Sequence, residues 1–420
     1  MKRRTRIFVI LTALLLVLTL VFASCSPAAL NAYQEAVEGG FEGTFEQWIE
    51  SLTKYDSLLT APKLEALYDE AVANGFSGDI DQWLSETYGS VQPAYSGTEQ
   101  AANIALRSVV CIQGRASAGS GVIFDEDDTY AYIVTNYHVL YDESSSSKIT
   151  REIYVYLYGM YYDGFGILAS YVGGSMSNDI AVIKIRKNQR YSQSAAAVAT
   201  VADSLDITAG QTVVAAGNPN NGGVSVTSGI ISIDSEYIDI DAPDELSTLK
   251  LRVIRIDAPV NPGNSGGGLF NTSGELIGIV NAKYVDDETD NIGYAIPSNI
   301  AISLAKRLLE GAIDKAYFGI MMRVTDVTSY FDPIAQRTVV EHEITVESVE
   351  GNSIAYGYLK AGDILKSFTH GGKTVEINRL YTLGDYVFNF DLGDDVIFKI
   401  ERNGTEQNVT VTVTKTAALT

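Results

Sequence analysis

Cysteine, histidine and positive charge are scarce in this chain, and each shortage removes a class of explanation. Of the 420 residues only Cys25 and Cys111 are cysteines, and Cys25 sits where a leader segment ends. If Cys25 is modified at that point, no intrachain disulfide is possible, and an exported chain must rely on core burial. Cys111, inside Val109-Val110-Cys111-Ile112, then reads as a small buried side chain. His138, His342 and His370 are dispersed, and neither an H-x-x-x-H nor a paired-cysteine spacing occurs. The sequence therefore offers no metal site and calls for no cofactor. Lysine and arginine total 30 against 52 aspartates and glutamates, a net charge of −22. Such a surface repels phosphate backbones and argues against nucleic-acid partners.

Long apolar runs are also few. One follows the basic start Met1-Lys2-Arg3-Arg4-Thr5-Arg6, from Ile7 to Phe22, and ends at the small residues Ala23-Ser24. That layout is a secretory signal, and the run is short for a spanning helix. Phe22-Ala23-Ser24-Cys25 resembles a bacterial lipobox, with Phe22 where Leu is usual. The resemblance makes residues 1–25 a signal peptide with Cys25 as the lipid-modified residue. The protein is then extracytoplasmic and anchored to the cell membrane. Ordinary cleavage, giving a secreted or periplasmic protein, is the alternative.

Residues 26–87 hold two helical repeats. Tyr33-Gln34-Glu35-Ala36-Val37 matches Tyr68-Asp69-Glu70-Ala71-Val72, and Gln47-Trp48-Ile49 matches Gln82-Trp83-Leu84. Each unit reads as helix, Gly-rich turn, short helix. Two copies make a spacer below the enzyme or a small surface for an envelope partner. Residues 88–103 are a linker by composition. From 104 to 312 short β-branched runs broken by Gly, Asn and Asp predict an all-β barrel or sandwich. A closing helix over 298–312 is expected, with Ser298 as N-cap. A second β-rich block covers 316–416, with a long hairpin expected between Thr325 and Glu343.

Three segments carry the chemistry: Thr135-Asn136-Tyr137-His138-Val139, Ser177-Asn178-Asp179-Ile180 and Gly263-Asn264-Ser265-Gly266-Gly267. Each stands where a β run meets a turn. A serine hydroxyl is inert at neutral pH without a base beside it, and His138 and Asp179 supply the base and its orienter. The third segment also matches the G-x-S-x-G elbow of α/β-hydrolases. That motif needs a helix directly after the serine and a histidine downstream. Gly266-Gly267-Gly268 starts a helix poorly, and only His342 and His370 lie downstream.

The order His, Asp, Ser belongs to the chymotrypsin scaffold. Gly119-Ser120-Gly121-Val122-Ile123, Gly217-Asn218-Pro219, Asp257 through Gly267 and Ile292 through Pro297 complete the pattern. Over about residues 104–416 the chain resembles the HtrA/Deg family of trypsin-like serine proteases. Gly268 and Pro259 depart from the commonest family residues. The resemblance implies a mainly β fold with a chymotrypsin-like double β-barrel over 104–312. It also implies a His138, Asp179, Ser265 triad and an oxyanion hole at Gly263, Asn264 and Ser265. Pro259 and Val260, six and five residues before the nucleophile, line the S1 pocket in this scaffold. Neither is acidic, so a small or medium aliphatic P1 is expected. Val280, Asn281 and Ala282 are expected to form the strand that pairs with substrate. Some family members build cages through a long loop after the first strand. Here only Gly114-Arg115-Ala116-Ser117-Ala118 lies there, and a homotrimer is the implied assembly.

Tyr317-Phe318-Gly319-Ile320 resembles the carboxylate-binding loop of a PDZ domain, and Ala361-Gly362-Asp363-Ile364 the entry to one of its strands. C-terminal peptides are the implied partners of such a domain, and unfolded polypeptides the implied substrates of the enzyme. A chaperone-like or non-catalytic peptide-binding protein on the same scaffold is the alternative. An intact triad favours the enzyme.

Overall fold

The computed structural model describes residues 97–115, 117–161, 164–219, 222–281, 292–311, 314–334 and 336–418, with short pieces at 68–69, 71–73 and 76–77. The leader, Cys25, the first repeat, most of the second and most of the linker lie outside the described residues. Within the second repeat the Tyr68 and Phe76 rings meet edge to face at 6.3 Å. Phe76 N–H donates to Ala71 C=O at 2.9 Å, the six-to-one bond of a helix C-terminal turn. Among the described residues no helix is long and apolar enough to cross a membrane.

Helix α1 (Thr98–Ser108) begins inside the stretch whose composition reads as linker. Gly97, at φ 62°, ends that composition. Ala101, Ala105 and Ser108 then recur at helical spacing and are buried, with Glu99 in the first turn and Arg107 in the last. Those charges oppose the helix dipole favourably.

Six strands follow: β1 (Val109–Gln113), β2 (Ala118–Glu126), β3 (Tyr130–Thr135), β4 (Tyr154–Leu157), β5 (Ile167–Ser175) and β6 (Ile180–Arg186). They close a barrel in the order β1-β2-β3-β6-β5-β4. Helix α2 (Tyr137–Leu140) follows β3. Six more are β7 (Thr212–Gly217), β8 (Ser225–Asp241), β9 (Thr248–Ile256), β10 (Gly268–Phe270), β11 (Leu276–Asn281) and β12 (Gly293–Pro297). They close a second barrel, β10-β11-β12-β9-β8-β7. In both barrels the third strand pairs with the sixth and the first with the fourth, so one topology occurs twice. Closure leaves no sheet edge exposed.

One apolar cluster runs between the barrels, joining Val122, Val134 and Val182 to Phe270, Ile279 and Ile296. Helix α3 (Ser298–Leu309) packs Ala301, Leu304 and Leu308 into the same cluster. Ser298 is the first residue of α3 and not its cap. Its hydroxyl donates to Ala202 C=O at 2.9 Å, and Pro297 holds the cap position without a side-chain bond. Cys111 is 1% exposed on β1 and free, and burial pushes its thiol up to about 12.

The C-terminal domain contains β13 (Asp314–Ala316), β14 (Ile320–Asp332), β15 (Arg337–Val349), β16 (Ile364–His370), β17 (Lys373–Glu376), helix α4 (Thr382–Tyr386), β18 (Asp395–Arg402), β19 (Thr405–Thr412) and β20 (Thr416–Ala418). The main sheet runs β14-β15-β16-β18-β19, with β17 on β16. Strands β14 and β15 form the long hairpin expected between Thr325 and Glu343. Phe318 stands edge to face with Phe390 at 5.5 Å and Phe398 at 5.6 Å in the core.

Opposite charges cross from the second barrel and α3 to this domain. Arg307 Nη1 donates to Asp391 Oδ1 at 2.7 Å, Lys373 Nζ lies 3.3 Å from Asp203 Oδ2, and Arg379 pairs with Asp234. Arg252 lies 3.3 Å from Asp385 with both side chains buried, and its guanidinium stacks on Tyr381 at 4.0 Å.

Candidate active site

Three turns and one strand build the site. Strand β3 ends at Thr135, whose hydroxyl donates to Ser120 C=O at 2.7 Å. Asn136 is extended, so α2 starts at Tyr137 and sets His138 in its first turn. The Asn136 Nδ2 donates to Asp179 C=O at 2.9 Å. That bond helps hold Asp179 at φ 50°, a left-handed conformation that aspartate tolerates better than most residues.

The Asp179 side chain is 1% exposed and caged by donors. Its Oδ1 accepts from His138 N–H at 2.9 Å. Its Oδ2 accepts from His138 Nδ1 at 2.7 Å and from Asn281 Nδ2 at 2.8 Å. An ionised carboxylate only accepts, so the Nδ1 contact fixes the proton on Nδ1 and leaves the lone pair on Nε2. The imidazole therefore carries its basic nitrogen on the side away from Asp179. This is the tautomer that a general base requires.

The Ser265 turn is clamped to β2. Ser120 N–H donates to Ser265 C=O at 2.8 Å, and Ser120 Oγ donates to Gly263 C=O at 2.7 Å. The same hydroxyl accepts from Asn218 N–H at 2.7 Å. Gly263 and Gly266 have φ of 99° and 83°. A Cβ on Gly266 would collide with the Ser120 carbonyl and the Thr135 hydroxyl. One on Gly119 would stand 2.8 Å from the Val139 side chain and 3.1 Å from Ser265 C=O. Bare glycine thus lets β2 pass between the His138 turn and the Ser265 turn.

The remaining expected site residues divide. Among the described residues Gly263 N–H meets no acceptor. The Asn264 N–H donates to Asn261 C=O at 3.0 Å, so Asn264 does not offer a backbone donor to an oxyanion. Val260 is buried, and a Cβ on Gly293 would stand 2.7 Å from its Cγ2. Pro259 is exposed, with its C=O accepting from Thr227 Oγ1 at 2.9 Å.

Within the segment expected to pair with substrate, Val280 is tied to the Ser265 turn. Its C=O accepts from Gly266 N–H at 2.9 Å and its N–H donates to Gly267 C=O at 2.8 Å. Both backbone groups are committed, so Val280 supports the Ser265 turn and does not pair with substrate. The Asn281 side chain turns inward to Asp179. Ala282 lies outside the described residues. Ser120 and Asn281 are thus the positioning residues that motif reading did not single out for these roles. Their signals were a lone Ser between glycines and a polar residue ending an apolar strand.

Tyr317, Phe318, Gly319 and Ile320 line a cavity of about 350 Å³ between the C-terminal domain and the second barrel. Gly319 has φ 61°, and its C=O accepts from Glu350 N–H at 2.8 Å. Ile296, Ile300 and Lys250 face it from the barrel side.

Twin barrels, a carboxylate-oriented histidine and a serine turn clamped across from it define a trypsin-like serine peptidase domain. Residues 119–279 match the family model described as "Trypsin-like peptidase domain". The serine protease Do-like HtrA of Bacillus subtilis (strain 168) is 33% identical over 308 residues, 69% of this chain and 62% of the relative. The serine protease Do-like HtrA of Lactococcus lactis subsp. lactis (strain IL1403) is 31% identical over 316 residues, 72% of each chain. Among solved structures, the HtrA-type protease AlgW with tripeptide superposes with a TM-score of 0.50 at 26% identity, covering 75% of this chain and 96% of that one. The chain belongs to the family of Do-like HtrA serine proteases. It spans about 62% of the length of the Bacillus relative.

Proposed function

We propose that this chain is an exported serine endopeptidase that cleaves unfolded or misfolded envelope polypeptides through an acyl-enzyme. The observation that carries the reading is the 2.7 Å bond between His138 Nδ1 and Asp179 Oδ2, which leaves Nε2 as the base. Ser265 Oγ attacks the scissile carbonyl while His138 takes its proton. His138 then protonates the leaving amine, and Asp179 stabilises the imidazolium between the two transfers. The Gly263 and Ser265 amides bind the oxyanion, and losing one such donor costs about 3–4 kcal/mol of transition-state stabilisation. The apolar Val260 sets a small or medium aliphatic P1 preference, with Pro259 at the pocket rim.

The C-terminal domain is read as a PDZ domain that takes the carboxylate end of a peptide at Tyr317, Phe318, Gly319 and Ile320. The cavity beside that loop supports this. Cys25 carries a lipid anchor, the enzyme forms a homotrimer, and no cofactor is needed. Wild type and Ser265→Ala are compared on unfolded casein, with and without C-terminal peptides. Cleavage by wild type alone is expected. Equal cleavage by both proteins, or none by either, sinks the reading.

A further inference from the structure

The first barrel carries a second polar cavity of about 350 Å³, lined by Arg115, Asp142, Ser144, Ser145 and Arg151. One wall is the turn between β1 and β2, and the other is the loop after α2. Both are fastened to α2. Ser117 Oγ donates to Val139 C=O at 2.6 Å, and Thr150 N–H donates to Leu140 C=O at 2.7 Å. Val139 and Leu140 are the two residues after His138. The walls also join directly, since Arg115 N–H donates to Thr150 Oγ1 at 3.1 Å. A Cβ on Gly114 would stand 2.7 Å from the Thr150 methyl, so the two walls are in close contact. The far loop is closed on itself by Asp142 N–H to Lys148 C=O at 3.0 Å and Ser145 N–H to Asp142 C=O at 3.1 Å.

The charges in this cavity do not balance. Asp142 Oδ1 already accepts from Ser144 N–H at 2.9 Å and from its hydroxyl at 2.6 Å. Glu143, Lys148 and Glu152, the other charged residues of this loop, do not line the cavity, so the excess belongs to its lining alone. Among the described residues neither Arg115 nor Arg151 has a side-chain ion pair or hydrogen bond, and both are exposed. Two guanidinium groups therefore stand against one carboxylate, whose charge the Arg115 guanidinium already helps to hold. In a chain of net charge −22 this local excess is unusual, and a guanidinium fork matches a carboxylate in geometry.

Chemistry assigns the cavity a place along the substrate. The histidine that protonates the leaving amine must lie over the leaving half of the peptide. The acyl half stays on Ser265 and the second barrel. The cavity is fastened to the two residues after His138 and belongs to the same barrel as the base that serves the leaving half.

We propose that Arg115 and Arg151 form a subsite for an acidic side chain within the first three residues after the scissile bond, so that Asp- or Glu-bearing leaving segments are preferred. This rests on the endopeptidase reading. The test uses the full chain and internally quenched peptides that share one sequence before the cleaved bond. Ala, Glu or Lys is placed at each of the three positions after it. Glu at one position is expected to raise kcat/KM about ten-fold over Ala, and Lys to lower it, because exposed ion pairs each contribute a few-fold. The gap should shrink between about 0.05 and about 0.5 M salt. The double variant Arg115→Glu/Arg151→Glu should invert the order and favour Lys, which a folding defect does not do. Equal rates for all three peptides at every position, or an unchanged order in the double variant, overturn the subsite and leave the endopeptidase standing. No cleavage of any peptide by wild type, matching Ser265→Ala, overturns both.

Discussion

Asp179 and Asp385 are each 1% exposed, and their surroundings are opposite. Asp179 sits between the barrels and accepts from the His138 amide, the His138 ring and the Asn281 side chain. Asp385 sits where the C-terminal domain meets the second barrel. Its Oδ2 is 3.3 Å from Arg252 Nη1 but makes no hydrogen bond, and Nε and both Nη atoms of Arg252 also lack partners. Removing a carboxylate from water is costly unless hydrogen bonds replace the hydration. At Asp179 three donors replace it. At Asp385 they do not, and burial pushes its carboxyl up to about 7, with Arg252 pulling only partly back. A carboxylate that must hold one charge and one direction is fully bonded. The carboxylate at a seam between domains is left balanced between two protonation states.

The comparison can be broken at the catalytic end first. Asp179→Asn keeps the shape but reverses the bonding to Nδ1, so His138 adopts the wrong tautomer. A loss of about 10⁴-fold in kcat is expected from steady-state cleavage of a quenched peptide. A loss under ten-fold would mean that Asp179 does not orient the base. At the seam, Arg252→Met strands Asp385 and should cost roughly 3–5 kcal/mol in chemical denaturation. The double variant Arg252→Met/Asp385→Leu should recover most of that loss, because a packed apolar pair replaces a poorly bonded ionic one. Failure of the double variant to recover would mean that the pair is better satisfied than its geometry indicates.

Asn281→Leu removes one of the three donors around Asp179. Hydrogen bonds to charged groups are worth about 1.5–3 kcal/mol, so kcat should fall about ten- to a hundred-fold with KM little changed. An unchanged kcat would confine Asn281 to packing. The seam should also show itself in pH. Asp385 holds its proton up to about 7 in the folded chain, whereas an unfolded aspartate releases it near about 3.9. Between these values the folded state binds more protons, so its stability falls as pH rises from about 4 to about 7 and then levels off. Thermal melts of Asp385→Asn should lose that slope. A slope unchanged by the substitution would assign it to another group.

The catalytic end was far more legible in the sequence than the seam. His138, Asp179 and Ser265 each lie in a short contiguous segment at the end of a β run, and their order separates one scaffold from another. The long hairpin over 325–343 could be read because its departure from a compact domain is local. Ser120, Val280 and Asn281 act through bonds to partners far away in the chain, such as Asn281 to Asp179 and Ser120 to Gly263. A Ser between glycines and a polar residue closing an apolar strand mark the positions of Ser120 and Asn281, but nothing local names their distant partners. Arg252 and Asp385 are ordinary charged residues in sequence, and only the docking of two domains buries them. Helix α1 was hidden for a different reason, since the Gly- and Ser-rich composition before Gly97 masked its alanine spacing. The double barrel was legible only through the family resemblance, because the halves share strand order without sharing residues and composition alone left barrel and sandwich open.

Reaction of the full chain with a fluorophosphonate, followed by peptide mapping, shows whether Ser265 is the activated nucleophile. One modified residue, Ser265, is expected in the wild type, and none in His138→Ala, where the base is gone. Modification at another serine, or equal labelling of Ser265 in both proteins, would contradict that role.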